Sequence, residues 1–452
     1  MKVHFISIGG SVMHQLAISL KKKGYVVTGT DDEIFEPAKS NLAAEGLLPS
    51  KIGWQPELIT TNLDAVILGM HAKADNPEIA KAKELELKIY SFPEYIYQES
   101  IHKNRVVIGG SHGKTTTTSM IMHVLKFLQK DFDYLAGAKL QGFNQSVSIS
   151  NAPVIICEGD EYPASTLEKK PKFHFLFPHI AVLTGIAWDH INVFPTFEIY
   201  KEQFSIFIQK IEKNGLLIYN ENDIVLKELV EKNSRTDLRY QPYSIPQHNI
   251  KDGETFITIE NETTSLKVFG NHNLQNLFAA FYVCKELGIT TTEFLNSIQN
   301  FTGAAKRLEL LTTNKTTNIY RDFAHAPSKV TATIEAVKRQ FPNRKLIAVL
   351  ELHTYSSLNK NFLDEYKSSM NNADVAIVFY SKHALELKQM PSLPKEDIYH
   401  SFQKENLIVF DIKEELENWL KKQNYTNSNL LLMSSGNFDG IDIIAFATEI
   451  TK

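Results

Sequence analysis

Residues 105–125 read Arg-Val-Val-Ile-Gly-Gly-Ser-His-Gly-Lys-Thr-Thr-Thr-Thr-Ser-Met-Ile-Met-His-Val-Leu. The apolar run 105–108 predicts a strand, 109–113 a glycine-rich turn, and 114–128 a helix. Glycines let backbone N–H groups approach phosphate oxygens, and the helix N-terminus adds positive potential. In such a loop a lysine reaches the β/γ-phosphates and a hydroxyl ligates Mg²⁺, the roles predicted for Lys114 and Thr115. The common spacing G-x-x-x-x-G-K-[ST] puts a glycine at 108, where Ile108 stands, so this loop is a shorter variant. Gly110, Ser111, His112, Gly113, Lys114, Thr115 and Thr116 are the expected nucleotide-binding residues.

Outward from this loop, short apolar runs alternate with helical patterns, the α/β signature of parallel sheets. Upstream, strands are expected at 3–8, 25–30, 65–68 and 88–90, helices at 13–23 and 77–85, and a polar linker at 98–104. Downstream, 154–157 and 180–183 predict buried strands, 237–270 smaller β elements, and 274–287 a helix. A third α/β unit restarts near 301–306, with strands at 318–323, 345–350, 375–379, 407–410 and 430–433 and a helix at 328–339. Three restarts in 452 residues agree with about 150 residues per domain. The expected domains are 1–100, 101–303 and 304–452.

Composition narrows the class. The 48 Lys+Arg against 52 Asp+Glu leave a net charge of −4, without the basic excess that nucleic acid or an anionic membrane selects. The two cysteines, Cys157 and Cys284, are too few for a disulfide scaffold. No stretch approaches the ~18 apolar residues of a membrane span. A cytoplasmic enzyme is expected, monomeric or weakly self-associating.

Two acidic or imidazole motifs complement the loop. Glu158-Gly159-Asp160-Glu161 follows the strand at 154–157, and Asp189-His190 follows the strand at 180–183, at carboxyl ends where α/β sites form. Glu158 and His190 are therefore the expected metal ligands beside Thr115. At the N-terminus, Gly9, Gly10 and Ser11 follow the first strand, and Asp31 ends the second, 21 residues after Gly10. That is near the spacing at which a Rossmann acid meets a ribose.

Together these residues resemble the ATP-dependent Mur ligases of peptidoglycan synthesis. Gly110–Thr115 is similar to the family's G-T-H-G-K-T loop, Glu158–Glu161 to its E-A-D-E segment, and His190 to its D-H metal histidine. The segment 270–276, Gly-Asn-His-Asn-Leu-Gln-Asn, resembles its adenine-contacting H-N-x-x-N, and implies ATP contacts at His272, Asn273 and Asn276. Lys306-Arg307 and the segment 322–327 (Asp-Phe-Ala-His-Ala-Pro) continue the resemblance. It implies that Arg307 reaches the phosphates, that Asp322 binds the ribose, and that Lys114, Glu158, His190 and Arg307 carry catalysis. Residues 3–13 resemble the family's uridine-nucleotide domain, which places Gly9, Gly10, Ser11, Asp31 and His71 at the UDP-sugar. Ser7 and Val12 replace glycines of that pattern.

The resemblance implies three α/β domains: two Rossmann-like ones flanking a P-loop ATPase with a parallel sheet and smaller β elements. It implies formation of an amide on UDP-N-acetylmuramate through an acyl phosphate, with ATP and Mg²⁺. The amine partner is either L-alanine or the recycled tripeptide L-Ala-γ-D-Glu-meso-diaminopimelate. Glu158-x-Asp-Glu-Tyr162, the 32-residue spacing from Glu158 to His190, and residues 433–441 resemble the tripeptide branch. His325 and His353 are expected at the amine. The segment 351–357 carries Thr354 and Ser357 where the alanine branch carries arginines. Two other classes remain to be weighed: a nicotinamide dehydrogenase, argued against by Ser7 and Val12, and a P-loop switch that hydrolyses ATP without an acceptor.

Overall fold

The computed structural model describes every residue except His71, Ala138, Lys139, Gln141, Thr166, 189–192 and Lys452. The chain forms two compact units, one of residues 1–244 and 276–297, the other of 245–275 and 298–452.

The first unit begins with a four-stranded sheet in the order Val26–Thr30, Lys2–Ile6, Ala65–Leu68, Ile89–Ser91, every pair parallel. Parallel strands need crossovers, and helices Met13–Lys22, Ala38–Ala44 and Pro77–Glu84 supply them. Local chemistry sets their ends. Asn76 caps the helix Pro77–Glu84 by accepting from the N–H groups of Glu78 (2.8 Å) and Ile79 (3.3 Å). Ser91 and Glu94 form a capping box on the helix Phe92–Ser100.

That helix corrects the expected linker at 98–104: Gln98 to Ser100 are helical and Asn104 opens the next strand. The polar residues are there for tertiary reasons. Glu99 accepts Lys23 Nζ (2.7 Å) and the Tyr25 hydroxyl (3.1 Å), tying the helix to the first sheet.

A seven-stranded sheet follows, in the order Arg239–Tyr243, Leu216–Asn220, Ile180–Leu183, Asn104–Gly109, Val154–Glu158, Asp133–Leu135, Val147–Ser148. All pairs are parallel except the last. The strand that feeds the phosphate loop is thus flanked by Ile180–Leu183 and Val154–Glu158. Its residues Val106, Val107 and Ile108 are fully buried, as the continuous apolar run requires. Ser19 Oγ accepts the Ile149 N–H (2.7 Å), joining the helix Met13–Lys22 to the edge of this sheet. The region expected to hold smaller β elements divides: Arg239–Tyr243 completes this sheet, and the rest lies in the second unit.

The second unit contains an antiparallel meander, Gln247–Lys251, Glu254–Ile259 and Glu262–Leu266. Its main sheet has the order Glu309–Thr313, Thr317–Asp322, Ser428–Met433, Lys345–Leu352, Val375–Tyr380, Ile408–Phe410. Only the first strand is antiparallel. Cys157 and Cys284 are buried free thiols. Among the described residues no helix is long and apolar enough to cross a membrane.

Candidate nucleotide and ligase site

The phosphate loop leaves the sheet between two neighbours that both shape it. Gly110 has φ +127°, and a Cβ there would lie 2.1 Å from Thr184 Oγ1, so only glycine fits. Thr184 donates to the carbonyls of Gly109 (3.2 Å) and His112. Ser111 N–H donates to the Gly185 carbonyl (2.9 Å). Gly113 starts the helix Lys114–Phe127, presenting its N-terminus to the loop.

Lys114 donates to the Gly110 carbonyl (2.5 Å) and to Glu161 Oε2 (2.6 Å). Burial alone would lower its ammonium, but Glu161, Asp160 and Glu158 together raise it above the usual lysine value. The lysine is therefore fully charged and aligned along the loop. Glu161 Oε1 accepts the Tyr200 hydroxyl (3.1 Å), whose oxygen also lies 2.8 Å from Ser111 Oγ. Ser111 Oγ accepts the Ala187 N–H (2.8 Å), so one chain of hydrogen bonds links Lys114 to the segment preceding 189–192.

Thr115 donates to Glu158 Oε1 (2.7 Å), and Glu158 Oε2 accepts the Gly137 N–H (3.0 Å). A hydroxyl and a carboxylate side by side at a helix start form a hard oxygen donor set that suits Mg²⁺. His190 and His71 lie outside the described residues. Asp160, between the two glutamates, turns away to Lys172 (2.6 Å). Burial disfavours its charge, but Lys172 and Lys114 hold its carboxyl below the usual range.

Within the same unit Asn276 packs against the loop: a side chain at Gly113 would meet its Oδ1 at 2.3 Å. Thr116 is buried in the first turn of the loop helix. Asn273, in the second unit, donates to the Phe269 carbonyl (2.9 Å), and His272 lies in the first turn of the helix Asn271–Glu286.

In the N-terminal sheet, Asp31 Oδ2 accepts the Gly9 N–H (2.7 Å) and Oδ1 the Asp32 N–H (3.0 Å). Burial raises its carboxyl to about 6, the Gly9 N–H working against it. Gly10 accepts His14 Nδ1 (2.8 Å), and Ser11 is exposed.

The second unit gathers its predicted residues at the carboxyl edge of its sheet. Arg307 lies over the Phe323 ring (4.5 Å). Asp322 accepts the N–H groups of Leu308 (2.5 Å) and Ala324 (2.6 Å), clamping the Arg307 turn to its own strand end. Burial raises its carboxyl despite those donors. His325 Nδ1 lies 2.8 Å from the Phe323 carbonyl oxygen, and the next parallel strand but one delivers His353. Thr354 and Ser357 satisfy each other: Thr354 N–H reaches Ser357 Oγ (2.9 Å) and Ser357 N–H reaches Thr354 Oγ1 (3.1 Å).

Three members of these networks escaped sequence reasoning. Glu161 stood inside the quoted acidic segment, where its position after a strand was the available signal. Thr184 and Tyr200 had none, because each acts only through tertiary placement.

The chain matches known proteins along its length. Residues 2–103 match the Mur ligase family catalytic domain, 108–284 the Mur ligase middle domain, and 306–436 the Mur ligase glutamate ligase domain. A UDP-N-acetylmuramate–L-alanine ligase of Caldicellulosiruptor bescii is 31% identical over 415 residues, covering 88% of this chain and 87% of the relative. The enzyme of the same name from Clostridium tetani is 29% identical over 455 residues, covering 96% and 95%. Among solved structures, the fold matches a UDP-N-acetylmuramate–alanine ligase from Thermotoga maritima with TM-score 0.67 at 22% identity, covering 100% of this chain and 98% of that one. It also matches a murein peptide ligase from Psychrobacter arcticus with TM-score 0.62 at 21% identity, covering 100% and 99%. A phosphate loop with its charged lysine, oxygen donors beside it, and three domain matches in one order settle the identity: the chain belongs to the Mur ligase family, ATP-dependent ligases that form amide bonds in peptidoglycan synthesis.

Proposed function

We propose that this ligase joins the lactyl carboxylate of UDP-N-acetylmuramate to the amino group of L-Ala-γ-D-Glu-meso-diaminopimelate, with ATP converted to ADP and phosphate. Residues 1–100 hold the uridine nucleotide, through Gly9, Gly10, Ser11 and Asp31. Residues 101–303 hold ATP, and residues 304–452 bring Arg307, His325 and His353 to the phosphates and the amine.

The turn at 354–357 carries the choice of amine. Free L-alanine presents a carboxylate, for which arginine is the usual fork. In the tripeptide that carboxyl is already an amide, a neutral group. Thr354 and Ser357 pair with each other, Ser357 fully buried, and bring no positive charge to the turn, which suits the neutral amide. The names of the curated relatives favour L-alanine as the second reading.

A carboxylate attacking a phosphate meets repulsion, so catalysis consists of local positive charge and alignment. Lys114 is held charged along the loop by Gly110 and Glu161. Thr115 and Glu158, with His190, would hold Mg²⁺, which supplies charge neutralisation at the phosphates when bound. Arg307 adds a second cation, and Asn276 packs on the loop at Gly113.

Calorimetric titration tests the amine. Protein loaded with UDP-N-acetylmuramate and a non-hydrolysable ATP analogue should bind the tripeptide at least about tenfold more tightly than L-alanine, a difference near 1.4 kcal/mol. Tighter binding of L-alanine overturns the choice.

A further inference from the structure

We infer that His353 takes the proton released as the amine attacks, and that Glu351 is the positioning residue that fixes its ring. This rests on the ligase reading above. Both residues lie at the carboxyl end of the strand Lys345–Leu352, the edge at which α/β proteins bind ligands. The Glu351 side chain is 1% exposed and that of His353 33%, so the carboxylate is sealed while the ring meets solvent.

The loop after the neighbouring strand is folded around this pair. Glu351 Oε2 accepts Ser434 Oγ and the Phe438 N–H (2.8 Å). Ser434 Oγ in turn accepts the Gly436 N–H (2.7 Å). Gly436 lies against the ring: a Cβ there would sit 2.7 Å from His353 Cγ and Nδ1 and 3.0 Å from Glu351 Oε2. The second oxygen, Oε1, faces His353 Nδ1 at 3.9 Å, an ion-pair distance.

The charge is the informative part. A glutamine carbonyl would satisfy Ser434 and Phe438 equally well, without the cost of burying a carboxylate. An N–H donor opposite Oε1 gives that charge a purpose. With Nδ1 turned to that carboxylate, Nε2 is the ring nitrogen left to act as an acceptor.

The free-base amine nitrogen forms a bond to the acyl-phosphate carbon, and His353 Nε2 accepts the proton that this nitrogen gives up. The C–O bond to phosphate breaks with its electron pair on the phosphate oxygen, and the imidazolium returns the proton to the departing phosphate.

The test swaps the nucleophile on the full-length protein with ATP, Mg²⁺ and UDP-N-acetylmuramate. Hydroxylamine is uncharged at neutral pH and attacks an acyl phosphate without base assistance, giving a hydroxamate. His353→Ala and His353→Gln should lower kcat for the amine by about 100-fold or more while hydroxamate formation changes less than about threefold. Glu351→Gln should lower the amine rate by about tenfold or more at unchanged KM for the UDP-sugar. Equal loss with both nucleophiles, or an unchanged amine rate in His353→Ala, overturns the inference. Wild type that forms no UDP-sugar hydroxamate overturns the ligase reading, and the inference with it.

Discussion

The Lys114 ammonium lies 2.6 Å from Glu161 Oε2, in an ion pair whose carboxylate is 1% exposed. Removing one partner of such a pair strands a buried charge, which costs about 3–5 kcal/mol. Lys114→Ala should therefore abolish amide formation and also lower the unfolding free energy. Binding of UDP-N-acetylmuramate, measured by calorimetry, should stay within about threefold of wild type. Lost UDP-sugar binding in the folded variant would contradict the separate nucleotide sites.

Glu158 accepts the Thr115 hydroxyl on one carboxylate oxygen and the Gly137 N–H on the other. Glu158→Ala should raise the Mg²⁺ concentration for half-maximal turnover by at least about tenfold. A metal titration of the phosphate-release rate checks this, and an unchanged midpoint would place the metal elsewhere.

Gly110 combines φ +127° with a Cβ position 2.1 Å from Thr184 Oγ1. Gly110→Ala should destabilise the protein by about 2–4 kcal/mol, through backbone strain and the displaced threonine. Urea denaturation reads the change, and turnover should fall with it. A near-neutral result would mean that the loop is free to shift.

Asp31 is buried and its carboxyl is raised to about 6 from 3.8. A raised carboxyl means that the folded state holds a proton that the unfolded chain has lost. The associated stability is fully present below 3.8 and disappears as the pH rises through about 6. The swing is about 2–3 kcal/mol at ~1.4 kcal/mol per pKa unit. Asp31→Asn, whose amide oxygen still accepts the Gly9 N–H, should flatten urea-denaturation stability between those pH values. A profile as steep as wild type would show that another group titrates there.

The strands that carry the site were legible because each is a continuous buried apolar run ending in a chemical motif, as at 105–108 and 154–157. Short polar pieces were not. Asp133–Leu135 forms a strand because the buried Asp133 carboxylate pairs with Lys103 and accepts the Ser150 N–H (3.0 Å), contacts made across sequence distance. The helix end at 98–100 looked like a linker because its glutamate faces a lysine and a tyrosine from the distant turn between Lys22 and Val26. At the site, Lys114, Thr115 and Glu158 were legible from motif and placement. Tyr200 was not, since nothing local distinguishes a core tyrosine from one whose hydroxyl bridges Glu161 and Ser111.

Phosphate release with ATP, Mg²⁺ and UDP-N-acetylmuramate, comparing the tripeptide with L-alanine and weighing the product by mass spectrometry, tests the proposed reaction most directly. Release should require the UDP-sugar, be stimulated chiefly by L-Ala-γ-D-Glu-meso-diaminopimelate, and yield UDP-N-acetylmuramoyl-tripeptide in equal amount. Preference for L-alanine would contradict the amine assignment, and phosphate release independent of the UDP-sugar would contradict the reaction itself.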